Sequence, residues 1–252
     1  MRATLSTDPF ILIGRLMRLL TLCLIVGATL MLAACGDGGK AEVKGMKEQL
    51  QRAYGNKDFA KVLDLSQKGL TLSRKTMGDK AADTLFFAQG ISEANLNLRN
   101  ARGAIAALRQ ELSMRAAAGQ SEDKLQKRRT LLIKIAEENG DKVTAGDQAV
   151  IVAKGINMGP GKDPQPVYQA DTDYPPDQYR QRVEGDVDIA FGLDATGAVT
   201  AARVVKATPP MVFDQAALES FRKWRFTPML DSSGQQVSGS GYTFTVAFRL
   251  RR

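Results

Sequence analysis

Histidine is absent from the 252-residue sequence, and cysteine occurs only twice, as Cys23 inside an apolar stretch and as Cys35 at its end. A zinc or copper site needs several imidazoles or thiolates in one place, and a serine triad uses a histidine as its base. Neither arrangement is available, and the two cysteines do not suggest a disulfide framework. We therefore expect a protein that is not an enzyme and that holds no metal ion and no cofactor.

Clusters of basic and aromatic residues are also missing. The net charge is +8, but the lysines and arginines are scattered along the chain, whereas nucleic-acid-binding proteins concentrate them on one face. We expect no nucleic-acid partner. The length, together with a hydrophobic content of 44% and a charged content of 25%, is ordinary for a globular protein and predicts two domains.

One long apolar stretch, Leu19 to Ala34, follows Arg15 and Arg18 and ends in small residues. Charged, apolar and cleavage regions in this order are typical of a secretory signal. As a helix rising about 1.5 Å per residue, the stretch would span about 24 Å, short of the ~30 Å core of a bilayer. We predict that residues 1–34 are a cleaved signal peptide, with an uncleaved membrane helix as the alternative.

The end of this stretch, Leu32-Ala33-Ala34-Cys35-Gly36, resembles the lipobox of bacterial lipoproteins. The resemblance implies that Cys35 is acylated and that residues 35–40 form a lipidated tether; an ordinary signal peptide with a chance cysteine is the alternative. Two or more acyl chains anchor a protein stably at a membrane. In such lipoproteins aspartate directly after the cysteine favours the inner membrane, and here that position holds Gly36. The expected location is the periplasmic face of the bacterial cell envelope, with the outer membrane favoured and the inner membrane as the other choice.

Residues 41–154 contain no proline and are rich in alanine, leucine, lysine, glutamate and glutamine. This composition favours helices over strands. Turn signals divide the region at Gly55-Asn56-Lys57, Arg99-Asn100-Ala101 and Gly140-Asp141-Lys142, so that they start 44 and 41 residues apart. The region is therefore predicted to be an all-α domain built from helix pairs.

The segment Tyr54 to Leu70 resembles the turn and second helix of a tetratricopeptide repeat, and further copies are visible from Leu85 to Leu112 and, more weakly, from Leu131 to Ala153. The period exceeds the standard motif, so loops must take up the excess. The resemblance implies a concave surface that binds a peptide or partner protein. A spacer or a plain helical bundle is the alternative.

Residues 155–173 contain three glycines and three prolines and show no apolar periodicity, which predicts a linker. Beyond it, Gly185 to Leu193 alternates as a half-buried strand does, and the turn at Asp194 to Gly197 leads into a return strand from Ala198 to Thr208. Apolar residues at helical spacing from Val212 to Trp224 predict an amphipathic helix, and a last alternating strand follows. Residues 174–252 are thus predicted to form a β-β-α-β module, which makes the whole chain α+β.

An ordered set of motifs in this module resembles the C-terminal domain of TonB-type energy transducers. The set is Tyr174-Pro175, Val183 to Val187, Asp194 to Gly197, Pro209-Pro210 to Phe213-Asp214, and Trp224 to Pro228. In that family the last strand lies at a sheet edge and captures an extended segment of an outer-membrane receptor by β-augmentation. The resemblance implies that the partner-binding residues are Gly241, Tyr242, Thr243, Phe244, Thr245, Val246, Ala247, Phe248, Arg249 and Leu250. The alternative is a last strand covered by the chain itself or by a second copy, which would form a homodimer.

The chain departs from a conventional transducer in three respects. Such a protein has an uncleaved membrane helix containing a histidine that engages a proton-driven motor, followed by a long proline-rich spacer. Here histidine is absent, the apolar segment has the pattern of a cleaved signal, and a helical region replaces the spacer. Two functions are therefore expected: a TonB-family component that docks receptor segments in energised transmembrane transport, or a lipid-anchored periplasmic scaffold that no motor drives.

Overall fold

The computed structural model describes residues 38–250, and these residues divide into two compact units, the first ending at Ile91 and the second beginning at Ser92. The predicted signal peptide and Cys35 lie outside the described residues. Within the described part of the chain, no helix combines the length and the apolar character that crossing a membrane requires.

The first unit is helical. Helix α1 occupies residues 38–55, α2 runs from Phe59 to Met77, and α3 covers Ala82–Asn97, so that its last turns belong to the second unit. Helix α2 begins at Asp58, whose carboxylate accepts a hydrogen bond from the backbone N–H of Lys61 at 3.1 Å, as an N-cap residue does. Helices α2 and α3 approach closely at Gly69 of α2, where a Cβ would lie 2.3 Å from the ring of Phe87 of α3.

Three further helices open the second unit, namely α4 (Ala101–Ala117), α5 (Glu122–Glu138) and α6 (Lys142–Gly155). Asn100 and Asp141, which stand in two of the predicted turns, cap α4 and α6 by accepting hydrogen bonds from the third residue after each. The prediction that this region is all-helical is confirmed. Its likeness to tetratricopeptide repeats stays a prediction.

The C-terminal part contains a three-stranded antiparallel sheet in the order β3-β2-β7. Strand β2 is Gly185–Leu193, β3 is Val199–Thr208 and β7 is Gly239–Phe248, with helix α8 (Asp214–Phe221) between β3 and β7 in the chain. The β-β-α-β order and the α+β class are confirmed. The helix is shorter than predicted because the backbone tightens after Phe221, where the N–H of Trp224 bonds to the carbonyl of Phe221 at 3.0 Å.

Several short elements were not predicted. Strand β1 (Pro166–Tyr168) pairs with β4 (Arg225–Phe226), strand β5 (Met229–Leu230) pairs with β6 (Gln236–Val237), and α7 is a short helix at Pro176–Arg180. Elements of two to five residues are too short to show a periodicity. Strand β1 lies in the predicted linker, so this part of the linker pairs with a strand of the second unit. The domain boundaries themselves stay predictions.

The predicted alternation of β2 is confirmed. Val187, Ile189, Phe191 and Leu193 are between 0 and 4% exposed and point towards α8. Burying a side chain of this size contributes about 1.5–3 kcal/mol. The other members of the same core, contributed by the helix and the strands that follow it, are Phe213, Ala217, Phe221, Trp224, Phe226, Val246 and Phe248.

Candidate functional site

Strand β7 forms one edge of the sheet. It pairs with β2 on one side, and among residues 38–250 no strand pairs with its other side. The register with β2 is unbroken from Gly185↔Phe248 to Phe191↔Tyr242, and shifts only beyond that point, next to Gly241 with its φ of +85°. Residues 242–248 therefore form a regular edge whose outward N–H and C=O groups are available for a further strand.

The opposite edge of the sheet, strand β3, has a different character. Its register with β2 shifts twice, Ala201 has a φ of +46°, and the strand carries Arg203 and Lys206. Irregular register and charged side chains are the devices that proteins use to keep an edge strand from pairing. Strand β7 carries no charged residue from Gly239 to Phe248. It therefore lacks the charged side chains that hinder the pairing of a further strand with β3.

The structure places eight of the ten sequence-predicted docking residues in β7 and the other two just beyond it. The strand itself runs from Gly239 to Phe248, two residues earlier at each end than the predicted segment. Arg249 donates to the carbonyl of Gly185 at 2.7 Å and to the carboxylate of Asp186 at 2.6 Å. The N–H of Leu250 donates to Glu184 at 2.9 Å. These two residues fasten the end of β7 to the β2 side, away from the open edge.

Aromatic rings of the core pack against one face of β7. The ring of Phe244 meets the ring of Trp224 edge-on with centroids 5.3 Å apart, and Phe248 stacks on Phe213 at 4.3 Å. Such ring pairs add about 0.5–1.5 kcal/mol each to the burial of their area. On the opposite face Thr243, Thr245 and Ala247 are exposed. The strand therefore offers a fixed template with one aromatic and one small polar face.

Residues 165–174, which we name the strap, run along β4 and α8. The N–H of Gln165 donates to the hydroxyl of Thr227 at 2.9 Å, the indole N–H of Trp224 donates to the carbonyl of Ala170 at 3.2 Å, and Thr172 donates to Ser220 at 2.8 Å. Sequence patterns did not reveal the strap, because its hydrogen-bond partners lie about 50 to 60 positions later in the chain.

The strap also approaches strand β7 near its C-terminal end. Burial of the phenol and, second, the negative charge of Asp163, two residues before the strap, raise the pKa of Tyr242. Ala170 is bonded to Trp224, the ring beneath Phe244. At the far end, the ring of Tyr174 lies 5.6 Å from the ring of Phe248. The strap thus contacts β7 directly at Phe248 and reaches Phe244 only through Trp224.

Arg225 connects the sheet region to the helices. Its side chain is 2% exposed and forms an ion pair with Glu137 of α5, which is 3% exposed. The same guanidinium donates to the carbonyl and hydroxyl oxygens of Thr196, at 2.8 and 2.9 Å, in the β2–β3 turn. Lys142 of α6 also binds Glu137. This buried cluster was not foreseen from the sequence, which places Arg225 in a motif but gives no sign of a partner 88 positions earlier.

The β2–β3 turn is shaped by Asp194 and Gly197. The Asp194 carboxylate accepts hydrogen bonds from the backbone N–H groups of Thr196 and Ala198 at 2.8 and 2.9 Å. Burial alone would raise the pKa of Asp194, but the hydrogen bonds from Thr196 and Ala198 outweigh it, and the pKa lies below its ordinary value. Gly197 has a φ of +81°, and a Cβ there would lie 2.0 Å from the carbonyl oxygen of Phe226. Only glycine fits this position.

The C-terminal part of the chain is an α+β module, a small antiparallel sheet with a helix across one face and a regular, uncharged edge strand. The family model described as Gram-negative bacterial TonB protein C-terminal matches residues 170–250. Residues 170–250 thus match the C-terminal domain of TonB-type proteins, as the ordered sequence motifs predicted. The match begins at Ala170, whose side chain belongs to the core of the module.

Known TonB proteins are similar to part of the chain. The TonB protein of Yersinia enterocolitica is 30% identical over 96 residues, which are 38% of this chain and 34% of the relative. The TonB protein of Xanthomonas campestris pv. campestris is 36% identical over 66 residues, 26% of this chain and 29% of the relative. The chain therefore spans about a third of the length of the curated relatives it matches.

Two solved structures also match. A solved structure of the TonB2 protein from Vibrio anguillarum is 29% identical, with a TM-score of 0.29 over 38% of this chain and 89% of that chain. The solution NMR structure of the Pseudomonas aeruginosa TonB C-terminal domain is 24% identical, with a TM-score of 0.31 over 37% of this chain and 94% of that chain.

Proposed function

We propose that this chain is a non-enzymatic, TonB-type protein of the bacterial cell envelope. In this proposal, strand β7 takes up an extended, periplasm-exposed segment of an outer-membrane receptor by β-augmentation, and the docked pair serves energised transmembrane transport. The lipid anchor at Cys35 and the periplasmic location, with the outer membrane favoured, belong to the same proposal. The helical residues 41–154 are proposed to receive a second protein or peptide.

The observation that carries the proposal is the contrast between the two edges of the sheet. Residues 242–248 offer a regular, uncharged edge, whereas β3 is interrupted twice and carries two cations. A docked strand gains main-chain hydrogen bonds along β7 and would gain few along β3. The matching family and the TonB relatives support the same assignment of the C-terminal part.

In this proposal the length of the edge limits the strength of docking. About half of the seven residues 242–248 direct their N–H and C=O groups outwards, so a docked segment gains about six backbone hydrogen bonds. At about 1 kcal/mol each, these correspond to a dissociation constant on the order of tens of micromolar before ordering costs. Side-chain contacts with the half-buried Tyr242 and Phe244 must supply the remainder. We expect a reversible complex, which suits repeated docking.

Peptide binding to the purified full-length chain in detergent tests the docking proposal. The probes are ten-residue synthetic peptides taken from the N-terminal periplasmic segments of outer-membrane receptors of the same organism, followed by fluorescence anisotropy. We expect at least one peptide to bind. Methylating alternate backbone nitrogens of that peptide should abolish binding in one of the two alternations and spare it in the other, because only one row of N–H groups faces β7. Failure of every receptor peptide to bind the folded chain would overturn the proposal.

A second function is a lipid-anchored scaffold that no motor drives. The buried Arg225–Glu137 pair favours it, because a docking module fixed to helices α5 and α6 can hold two partners at a set distance. Receptor-mediated uptake in a strain lacking the gene separates the two functions. Loss of uptake supports the transport component, and unchanged uptake supports the scaffold.

A further inference from the structure

A small cavity of about 190 Å³ lies in the second unit, where the last turn of α3 and the start of α4 meet the end of α5. Three of its lining residues are apolar and three are polar or charged, namely Leu96, Ala101 and Ile135, and Asn95, Arg99 and Asn139. Sites that enclose a whole small molecule measure about 300–1,000 Å³. This cavity is smaller, so it suits one side chain or the end of a chain.

Among the described residues, Arg99 is the only charged one in the lining. It is exposed, and residues 38–250 provide no ion-pair partner for it. Two acidic residues close to the cavity in sequence are already engaged. Glu138 pairs with Lys134 at 3.5 Å, and Asp141 accepts hydrogen bonds from the backbone N–H and the hydroxyl of Thr144 at 3.0 and 2.7 Å. No residue of the lining balances the charge of Arg99.

The helix pair α3–α4 also differs from α1–α2 and α5–α6 at this place. In each pair the residue that caps the second helix donates its backbone N–H to the carbonyl five residues earlier, at 3.0, 2.9 and 2.8 Å in Asp58 to Ala53, Asn100 to Asn95 and Asp141 to Ala136. The acceptor is alanine in two pairs, whereas Asn95 is a polar residue only 5% exposed. Its side-chain oxygen accepts a hydrogen bond from the amide of Asn100 at 2.7 Å. Gly103 leaves room for this contact, because a Cβ there would lie 2.2 Å from the same oxygen.

From these observations we propose that the cavity receives a carboxylate group of a partner protein, carried on an aliphatic stem. A guanidinium matches a carboxylate with two parallel N–H donors, which Arg99 supplies, while the apolar part of the lining suits the stem. The inference deepens the proposal that residues 41–154 receive a second protein or peptide, and it rests on that proposal. A glutamate side chain and the C-terminal end of a chain both have this chemistry.

Asn139 adds a donor beside the cation. One N–H of its side-chain amide donates to the carbonyl of Ile135 at 2.8 Å, which holds the side chain at the end of α5. The amide has a second N–H, for which residues 38–250 provide no acceptor. A carboxylate therefore meets both a charge and a neutral donor here. An uncharged amide would lack the charge match, and a lysine would meet charge of its own sign.

Butanoate tests the inference on the full-length chain in detergent, with butanamide as its uncharged counterpart of nearly the same shape. Binding is followed by NMR shifts of the backbone N–H groups of Leu96 and Ala101 and of the side-chain amide of Asn139, at constant ionic strength. For a ligand this small we expect saturable shifts with a dissociation constant on the order of millimolar. Butanamide should bind at least about threefold more weakly. Equal binding of the two ligands, or shifts that do not saturate, overturns the inference.

Two substitutions remove the charge and the space separately. Arg99→Gln should weaken butanoate binding about three- to tenfold and leave butanamide within about twofold. Ala101→Leu, which fills the cavity, should weaken the binding of both ligands. Arg102→Gln is the matched control, because Arg102 is exposed in the first turn of α4 but is not part of the lining, and it should bind butanoate as the natural chain does. Butanoate binding that survives both Arg99→Gln and Ala101→Leu, or that falls equally in the control, overturns the inference.

Two pairs of peptides identify the source of the carboxylate. Acetyl-Ser-Gly-Glu-Gly-Ser-amide is compared with its glutamine counterpart, and acetyl-Ser-Gly-Ser-Gly-Leu with a free C-terminus is compared with its amidated counterpart. A preference for the glutamate peptide assigns a side chain, and a preference for the free C-terminus assigns a chain end. Binding of neither charged peptide by a chain that binds butanoate overturns the assignment to a protein partner.

The receptor peptides keep this test separate from docking on β7. A chain that binds butanoate and no receptor peptide retains the carboxylate site and loses the docking function. A chain that binds receptor peptides and not butanoate retains docking and overturns the inference.

Discussion

Arg225 and Glu137 stand 88 positions apart in the chain and share a buried ion pair in which both side chains are almost wholly removed from solvent. Arg225 belongs to a motif of the C-terminal module, and Glu137 belongs to helix α5. Burying such a pair costs several kcal/mol in lost hydration, and the cost is met only while both partners are present. The contact therefore ties the integrity of the module to that of the helices.

The substitution Arg225→Met should destabilise the chain by about 3–5 kcal/mol, because it leaves the carboxylate of Glu137 buried with Lys142 as its remaining partner. Urea denaturation of the full-length protein measures the effect. Arg180→Ala, which removes an exposed ion pair, serves as the control and should cost at most about 1 kcal/mol. The double variant Arg225→Met with Glu137→Leu should recover part of the loss, and an equal or greater loss would contradict the argument.

The substitution Gly197→Ala should destabilise the module by at least about 2 kcal/mol. The added methyl group would need a positive φ and would collide with the carbonyl oxygen of Phe226. Gly234→Ala provides a matched control, since Gly234 has a φ of +79° but nothing within 4 Å of the new Cβ, and it should cost about 1 kcal/mol. Thermal unfolding followed by circular dichroism distinguishes the two, and similar losses in both variants would show that the collision is relieved.

Asp194 should contribute stability that depends on pH. Its folded-state pKa lies below the ordinary value of 3.8, so the carboxylate stabilises the fold at pH values above 3.8. That contribution is lost as the pH falls through the lower, folded-state pKa. The difference in urea midpoint between the natural chain and Asp194→Asn should be constant from pH 7 to about pH 5 and should shrink below about pH 4. A difference that does not change down to pH 2.5 would contradict the prediction.

The strap should loosen when its bond to Trp224 is removed. The substitution Trp224→Phe keeps an aromatic ring in the core but deletes the indole N–H that donates to Ala170. We expect faster hydrogen–deuterium exchange in residues 169–174 and unchanged exchange in β3. Gln215→Ala, which removes a hydrogen bond on the exposed side of α8, is the control. Unchanged exchange in the strap would show that other contacts suffice to hold it.

Local patterns predicted much of this fold. The alternation of Val187, Ile189, Phe191 and Leu193 required one buried face, and Asp194 to Gly197 had the composition of a tight turn. The caps at Asn100 and Asp141 stand where turn signals divided the helices. These features depend on neighbours in the chain, so the sequence displays them directly. The last strand was also foreseen, with its bounds displaced by two residues at each end.

Contacts between distant residues could not be predicted in the same way. Glu137 stands in a helix rich in charge, and nothing in its neighbourhood marks it as the partner of Arg225. The strap has the composition of a linker, yet its backbone meets Thr227 and Trp224. Prolines and aspartates exclude a periodic pattern there, while pairing with a later strand is decided by the packed core.

The unbroken register of residues 242–248 has a mechanical meaning. A strand paired along this edge and pulled along its own axis would strain all of its hydrogen bonds together, in shear. A strand pulled away at right angles would break them one after another. The same weak complex can thus resist a steady axial tension and still be released by peeling from one end.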